Sequence, residues 1–347
     1  MQYYTAPGVD IKCDGVPLSQ GVTKMVADVT IESRVHLPGS FALKFVDSSL
    51  AIIDGSNGDL CEGSRLEIAL GYNKEFRKLI TGEISAVLAD LSTQGIFARV
   101  TGYDMLHRLS RGTNYRLFEH GNGDVLSDSS IAQTLLSEAG LKPTVEDTAE
   151  RKVPRVQDNR SDLDFLTILA SLNNYYLYSD DDRAFFTSTP PNRGELTLTW
   201  GKNIRTFYPR LSLNGRVNTV EVRGRDVSLD ENFVETVDRP RGDLLFLSSA
   251  GRSMMERGSG NRSVLNLHDA LITCANDAKQ FISDTLRNRQ ALVTATGSCA
   301  GNAELLAGTK LEIENTGRFS GNYFVTRAVH RFNNNGYTTE FEARMAM

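Results

Sequence analysis

The chain has 347 residues, of which 40% are hydrophobic and 23% are charged, as in ordinary soluble globular proteins. That length is enough for two or three domains. The formal net charge of −5 and the pI of about 5.7 argue against a nucleic-acid-binding or polyphosphate-binding protein, because such proteins present a basic face.

The beginning of the chain, MQYYTAPGVDIKCDG, has no basic start followed by an apolar run, so it does not have the pattern of a secretory signal. No stretch approaches the ~18 continuous apolar residues that a membrane helix needs. We therefore expect a protein without a membrane span that folds in a cytoplasm. The cysteines are far apart and form no CxxC pair, which favours buried thiols over disulfides or metal ligands; they are Cys13, Cys61, Cys274 and Cys299.

Alternating polar and apolar residues predict antiparallel strands in residues 1–108. A turn at Asp14-Gly15 precedes the strand patterns VTKMVADVTIES and SFALKFVD. The segment EGSRLEI, residues 62–68, starts another strand. Two more strand patterns follow, EISAVLADL and IFARVTG, with the turn STQG between them. We predict a first β domain over residues 1–108, closed as a small barrel or sandwich.

From residue 109 to residue 193 the hydrophobic period changes from two to 3.6, which predicts an α/β middle domain with two helices and a hairpin. The first helix lies in SDSSIAQTLLSEAGLKP, where Ser127 or Asp128 can cap its amino end. Ser161 and Asp164 resemble a capping box at the start of the second helix. The hairpin turns at three consecutive aspartates, Asp180–Asp182, for which a solvated turn is favoured over a cation site.

Strand patterns return in residues 194–235, in the segments GELTLTWGKNIRTFYPRLSL and GRVNTVEVRGRD. They resume in residues 295–347, so we predict a second β domain that is discontinuous. Residues 236–294 are predicted as a helical insertion with one long amphipathic helix, NLHDALITCANDAKQFISDTLRNRQA, after a mobile Gly/Ser-rich loop, SSAGRSMMERGSGNRS. The RGD triplet at residues 241–243 is short enough to arise by chance.

The two β regions repeat one another. EGSRLEI at residues 62–68 returns as AGTKLEI at residues 307–313. After each copy comes a turn, a strand-like run, a second turn (STQG or NNNG) and a closing alternating strand. The shared order of strands and turns predicts an internal duplication, and closing each copy removes sheet edges that would otherwise aggregate.

Known catalytic patterns are missing from the sequence. The five histidines are scattered, and there is no HExxH, GxSxG, Walker loop or GxGxxG after a strand. A pair of acids could still lie close in space without leaving a sequence mark. We expect no enzyme, with no catalytic, cofactor-binding or metal-binding residues.

Three segments carry a family resemblance: SIAQTLLSEAGL, then residues 157–187, then residues 306–343. The phrases S-D-x-D-F-L…A…N-x-Y-Y-x-Y at 161–178 and G-x-Y-x-V…V-x-H-x-F…Y-T-T-x-F at 321–341 are packing patterns. They resemble the phage late control D family, which includes the central baseplate hub of contractile-tailed phages. The same family includes the hub part of the valine-glycine-repeat spike protein of type VI secretion.

The resemblance implies a mainly β fold with α+β insertions and two similar antiparallel β-barrels per chain. It implies a homotrimeric ring with pseudo-sixfold symmetry, which joins a hexameric tail tube to a trimeric spike and lines an axial channel. The implied location is the baseplate of a phage or phage-like injection particle, assembled in a bacterial cytoplasm among other baseplate proteins. Because the sequence stops soon after the second barrel, we expect the spike to be a separate chain. Nucleic acid is expected only as cargo in transit, and no cofactor is implied.

Two other functions stay open on the sequence: a tail-associated cell-wall hydrolase and a receptor-binding tail module. For the hub, the alternating polar positions Arg65, Glu67, Lys310 and Glu312 are candidates for the tube-facing ring. Plain solvent exposure explains these four positions equally well.

Overall fold

A computed structural model shows a mainly β protein with one large mixed sheet and three small ones. The large sheet has 13 strands and is mostly antiparallel. The structure describes residues 6–55, 60–119, 125–150, 152–191, 193–214, 216–226, 228–239, 247–256, 264–288 and 290–346.

The first module is the set of strands before residue 105. Its strands bury alternate apolar side chains, and Leu66, Ile68 and Leu70 are fully buried in one core. Each such side chain contributes about 1.5–3 kcal/mol by leaving water. The elements are β1 Pro7–Cys13, β2 Val16–Pro17, α1 Gln20–Met25, β3 Val26–Arg34, β4 Ser40–Val46, β5 Arg65–Tyr72, β6 Glu75–Ser92 and β7 Gly95–Asp104.

A middle unit follows, beginning with a 3-10 helix at Met105–Ser110. Ser127 caps α2 by accepting the backbone N–H of Ser130, and Ser161 caps α3 by accepting that of Asp164, as the capping patterns predicted. The elements are β8 Asn114–Phe118, α2 Asp128–Glu138, β9 Lys142–Val145, β10 Arg155–Arg160, α3 Asp162–Asn173, β11 Tyr176–Asp180 and β12 Arg183–Thr187.

The remaining elements form the second module and an insertion within it. The second module has its own apolar core, which contains Leu311 and Ile313 of the repeated segment. Its elements are β13 Glu195–Thr199, β14 Ile204–Leu211, β18 Val293–Ala300, β19 Lys310–Glu314, a 3-10 helix Gly317–Phe319, β20 Gly321–Asn333 and β21 Gly336–Met345. The insertion contains β15 Thr219–Asp226, β16 Glu231–Asp238, α4 Ser249–Glu256, β17 Val264–Leu267 and α5 Ala275–Asn288.

The two modules have the same strand order. In the first, the hydrogen-bonded neighbours run β1-β5-β6-β7-β4-β3; in the second, they run β13-β19-β20-β21-β18-β14. The strands correspond one to one in chain order as well. One pairing differs, because β1 is antiparallel to β5 whereas β13 is parallel to β19. The insertion joins β14 to β18, where the first module has only the short connection between β3 and β4.

The insertion and the middle unit share a single apolar core. Leu135, Leu169 and Ile282 belong to it, from α2, α3 and α5 respectively. Inside this core the guanidinium of Arg155 lies against two carboxylates. Its Nε and one terminal nitrogen bind the two oxygens of Asp128 at 2.9 and 3.1 Å, and its other terminal nitrogen lies 3.3 Å from Asp277.

Several local expectations are corrected. β15, which the sequence analysis placed in the second β domain, pairs instead with β16 and β17 in the insertion's own sheet. The long helix starts at Ala275 and not near residue 266, and α4 occupies part of the predicted Gly/Ser-rich loop. The rest of that loop, residues 257–263, and the RGD triplet lie outside the described residues. The domain boundaries as a whole stay a prediction.

The four cysteines form no disulfide with one another; Cys13 and Cys299 are buried, whereas Cys61 and Cys274 are half-buried. The turn between β11 and β12 is acidic as predicted, and its Asp181 and Asp182 form ion pairs with Lys78 and Lys142. Within the described residues, no helix is both long enough and apolar enough to span a bilayer.

Candidate assembly interface

The two modules are connected by a β-ladder between β20 of the second module and β3 of the first, which we call the joint. It runs antiparallel over seven residue pairs, from Arg327 opposite Arg34 to Asn333 opposite Asp28. Because of it, strands β14-β18-β21-β20-β3-β4-β7-β6 form one continuous path. The chain therefore presents its two modules as neighbours in a single sheet.

One face of the joint is a closed core. Val29 and Ile31 of β3 and Ala328 and His330 of β20 are all fully buried there. The ring of His330 is held by the Tyr337 hydroxyl at 2.7 Å on Nδ1 and by the Leu305 carbonyl at 3.1 Å from Nε2. These contacts suit a neutral ring that accepts at Nδ1 and donates from Nε2. Burial lowers the pKa of His330 to about 4.

The other face of the joint is polar and carries paired charges. Arg327 donates from two nitrogens to the two carboxylate oxygens of Glu32, each at 2.8 Å, and a third bond of 2.8 Å reaches Glu342. The hydrogen bonds from Arg327 lower the pKa of Glu32 to about 2. Farther along, Arg331 lies 3.3 Å from Glu340. The guanidinium groups on this face are thus neutralised by neighbouring carboxylates.

The polar face continues into the first module. Lys44 of β4 places its ammonium 3.8 Å from the centre of the Phe97 ring on β7. Arg99 and Thr101 alternate with the buried Ala98 and Val100 on β7. A band of mixed charges, hydroxyls and aromatic rings therefore extends across both modules on one side of the sheet.

Both modules contain the same two irregularities. The ladder of β3 with β4 shifts around Ala27, and that of β14 with β18 shifts around Arg205. The ladder of β6 with β7 shifts around Ser85, and that of β20 with β21 shifts around Thr326. A bulge inserts one residue and bends its strand, so matched bulges indicate matched curvature.

The second pair of bulges also shares a side-chain hydrogen bond. Ser85 donates its hydroxyl to the carbonyl of Thr101 at 3.1 Å, and Thr326 donates to the carbonyl of Glu342 at 3.2 Å. In each ladder the accepting residue is the partner of the residue just after the bulge. The two modules therefore agree in strand order, in these two bulges and in the hydrogen bond at one of them. A further shift around Leu79, in the ladder of β5 with β6, has no counterpart in the ladder of β19 with β20.

The four residues proposed as tube-facing lie at equivalent places in the two modules. Arg65 and Glu67 are half-buried on β5, and Lys310 and Glu312 are exposed on β19. Lys310 lies 3.3 Å from Glu195. Glu312 accepts a hydrogen bond of 3.2 Å from Thr197. Their orientation toward a partner stays a prediction. Arg327, Glu32 and the joint were not predicted from the sequence, although alternating charges in β20 were a visible signal.

Side-chain chemistry elsewhere is sparse. Among the residues that the structure describes, no three His, Cys, Asp or Glu side chains are grouped so that they could hold a metal ion. A cavity of about 430 Å³ lies between β5 and β21, lined by Tyr72, Arg77, Asn203 and Tyr337 among others. Burial raises the pKa of the Cys299 thiol beside it to about 12, so that thiol stays protonated at neutral pH.

Comparison with known proteins supplies a family and a fold. The family model described as the Alg8 N-terminal domain matches residues 5–334. No curated protein matches the chain. Among solved structures, the 43 kDa tail protein of prophage MuSo2 from Shewanella oneidensis is similar, with a TM-score of 0.69 at 15% identity over 98% of both chains.

Two further structures have the same fold. A tail protein from Neisseria meningitidis MC58 has a TM-score of 0.71 at 11% identity, covering 98% of this chain and 97% of that one. An Escherichia coli component of the type VI secretion system, described as similar to bacteriophage T4 tail proteins, has a TM-score of 0.59 at 12% identity, covering 97% and 77%. The resemblance to tail hub proteins stated from the sequence is confirmed at the level of the fold.

Proposed function

The chain belongs to the Alg8 N-terminal domain family and has the fold of phage tail proteins, and from this premise we propose that it is a structural hub of a contractile tail or injection particle. In this role it joins a hexameric tube to a trimeric spike and has no enzymatic activity. The observation that carries the proposal is the agreement of the two modules in strand order and bulges.

Three copies of a chain with two equivalent modules give six similar units. A ring of six units can match a sixfold tube on one face, while the unlike insertions leave threefold symmetry for a spike on the other. The duplication therefore provides a physical reason for the adaptor role. The homotrimer, the two closed barrels and the baseplate location belong to this proposal.

The polar face of the joined sheet is the proposed lining of the axial channel. Tight phosphate contacts would hold a nucleic acid in the channel and slow its passage. Arg327 and Arg331 do not act as free cations, because Glu32, Glu342 and Glu340 pair with them. At the joint, the face therefore presents paired charges to a passing nucleic acid.

We propose that the tube contacts the equivalent residues Arg65 and Lys310 and the equivalent residues Glu67 and Glu312. In a ring of three chains, each of these residues would occur three times. The test is to mix the purified chain with a tail tube protein of the same particle and to measure the mass of the complex by light scattering. We expect three copies of this chain per tube ring. A chain that stays monomeric and does not bind the tube under any condition contradicts the hub.

A hydrolase or a receptor-binding module would show itself in separate assays. Release of soluble fragments from peptidoglycan, abolished by changing one carboxylate, would replace the hub with an enzyme. Direct binding of the isolated chain to bacterial cells would favour a receptor-binding module. We expect neither.

A further inference from the structure

We propose that His36, Arg287 and Arg344 form a binding site for a small tetrahedral oxyanion, the chemistry that phosphate and sulfate share. The site lies within one copy of the chain, at the point where its four parts meet. It goes beyond the hub role and does not depend on it, because neither a ring nor a second protein is needed to form it.

The side chains of this site come from all four parts of the chain. His36 belongs to the connection between β3 and β4 in the first module, and Tyr176 belongs to β11 in the middle unit. Arg287 lies on α5 of the insertion. Phe324 and Arg344 lie on β20 and β21 of the second module. An anion bound by the three basic side chains would therefore connect the insertion to both modules.

Two aromatic rings hold the basic groups close together. The buried ring of Tyr176 stacks with the His36 imidazole, with the ring centres 5.5 Å apart and an angle of 11° between the planes. The guanidinium carbon of Arg287 lies 5.0 Å from the centre of the same Tyr176 ring. The guanidinium carbon of Arg344 lies 4.7 Å from the centre of the Phe324 ring, which is itself 6.1 Å from that of Tyr176. The three basic groups thus gather around one aromatic cluster.

The charges at this junction are not balanced. The charged side chains that act on the His36 imidazole are those of Asp284, Arg287 and Arg344. The Asp284 carboxylate is nearly buried and binds Arg287 at 3.1 Å. With the imidazole neutral, two guanidinium groups face one carboxylate, which leaves one positive charge in excess. A cation that is partly removed from water and lacks a counter-charge favours the binding of an anion.

Unused hydrogen-bond donors indicate the same kind of ligand. The Nε–H groups of Arg287 and Arg344 are both buried and have no acceptor among the described residues. A buried donor without an acceptor is unfavourable, and an oxyanion supplies strong acceptors. The Arg287 side chain is 27% exposed, and His36 and Arg344 are half-buried, so a small solute can reach the group from the surrounding water.

The arrangement of the donors favours a tetrahedral anion over a carboxylate. A carboxylate presents two oxygens, which a single guanidinium can bind side by side. At this junction, two guanidinium groups and one imidazole come from three separate elements of the fold. Each of them can bind a different oxygen of one phosphate or sulfate ion.

Anion binding at this site should be coupled to protonation of His36. Burial lowers the pKa of the imidazole; the charge of Asp284 opposes this lowering, and the charges of Arg287 and Arg344 add to it. The ring is therefore neutral at pH 7 when no anion is bound. A bound anion places a negative charge beside the ring and raises its pKa. By linkage, the anion must then bind more tightly as the pH falls.

The test is isothermal titration calorimetry of the full chain with sulfate, at an ionic strength held constant with chloride. Sulfate is the probe because its charge does not change over the range in which histidines titrate, about pH 5 to 8. We expect one sulfate per chain, with a dissociation constant at least about threefold lower at the acid end of that range than at the basic end. Titrations in two buffers of different ionisation enthalpy should show a fractional proton taken up with each sulfate. These readouts use the unchanged chain, so they do not depend on the folding of any variant.

Substitutions separate the roles of the basic groups. Arg287→Gln and Arg344→Gln should each weaken sulfate binding at least about tenfold, because each removes a charge that binds the anion. Arg318→Gln is the matched control, since Arg318 also lies 5.0 Å from an aromatic ring, that of Phe319, but is exposed and outside the site; its sulfate affinity should equal that of the parent. His36→Asn suits the positive φ of 65° at this position and should abolish both the tightening at low pH and the proton uptake.

Three results would overturn the proposal. If the parent chain does not bind sulfate, or if Arg318→Gln weakens binding as much as Arg344→Gln does, there is no such site. If acetate, titrated as the comparison ligand, binds as tightly as sulfate, the site takes carboxylates and the tetrahedral class is wrong. If sulfate affinity in the parent does not change with pH, His36 does not belong to the site.

Discussion

Removing Arg155 tests how the middle unit and the insertion are held together. Its guanidinium is completely buried between Asp128 and Asp277, whose side chains are also at most 1% exposed. Arg155→Ala would leave two carboxylates in a low-dielectric core without their cation. Breaking a buried pair in this way costs about 3–5 kcal/mol, because the remaining charge stays desolvated.

The assay is urea unfolding followed by far-ultraviolet circular dichroism, which reports the helices α2, α3 and α5 of this shared core. With an m-value of about 3 kcal/mol/M, the midpoint should fall by about 1–1.7 M. The control is Lys310→Ala, which breaks an ion pair whose two side chains are both about two-thirds exposed or more, and which should cost at most about 1 kcal/mol.

A rescue variant separates charge from packing. Combining Arg155→Met with Asp128→Asn and Asp277→Asn removes all three charges while keeping most of the volume. We expect it to recover most of the lost stability, since a neutral core needs no ion pair. A loss below about 1 kcal/mol in Arg155→Ala, or a triple variant no more stable than the single one, would refute the reasoning.

Three further predictions concern the modules. Burial lowers the pKa of His330 to about 4 in the folded chain, so the unfolded chain takes up this proton at a higher pH than the folded chain does. The free energy of unfolding should therefore fall by about 3 kcal/mol as the pH falls from 6.5 to 4. His330→Gln should flatten that part of the pH profile of stability, measured by urea unfolding. The pKa of Glu32, lowered to about 2 by Arg327, implies stability that is present above pH 4.5 and lost toward pH 2; Glu32→Gln should therefore differ from the parent in melting temperature at pH 7 but not at pH 2. Gly102→Ala would place a Cβ 2.1 Å from the Glu83 carbonyl oxygen and should prevent soluble expression of the folded chain, whereas Gly112→Asn, at a positive φ with open space around it, should be tolerated.

Much of the modular architecture was predictable because it depends on local patterns. The alternation in RLEI and KLEI buries Leu66 and Ile68 in one module and Leu311 and Ile313 in the other. The turns predicted at STQG and NNNG connect β6 to β7 and β20 to β21. The caps at Ser127 and Ser161 were equally local. A side chain that binds a backbone group three residues away leaves a short-range signal.

The joint was not predictable from the same patterns. Its two strands lie about 300 residues apart in the chain, and the alternation in β20 is compatible with any antiparallel partner. The misplacement of β15 has the same cause, because its alternating valines give it a buried face without specifying which sheet contains it. Register and partner choice are set by three-dimensional packing.

Arg155 shows a second limit of structure prediction from sequence patterns. A single arginine in a polar stretch is normally exposed, and nothing near it in sequence indicates that Asp128 and Asp277 converge on it from 27 and 122 residues away. Long-range charge pairs of this kind leave no periodic mark. The matched bulges were likewise invisible, because a bulge needs a hydrogen-bonded partner strand to be defined.

The most direct test of the central claim is a cryo-electron microscopy reconstruction of the assembled ring, calculated with threefold symmetry only. We expect six modules related by rotations of about 60°, two from each copy. A threefold ring in which neighbouring modules are not related by such rotations would contradict the claim.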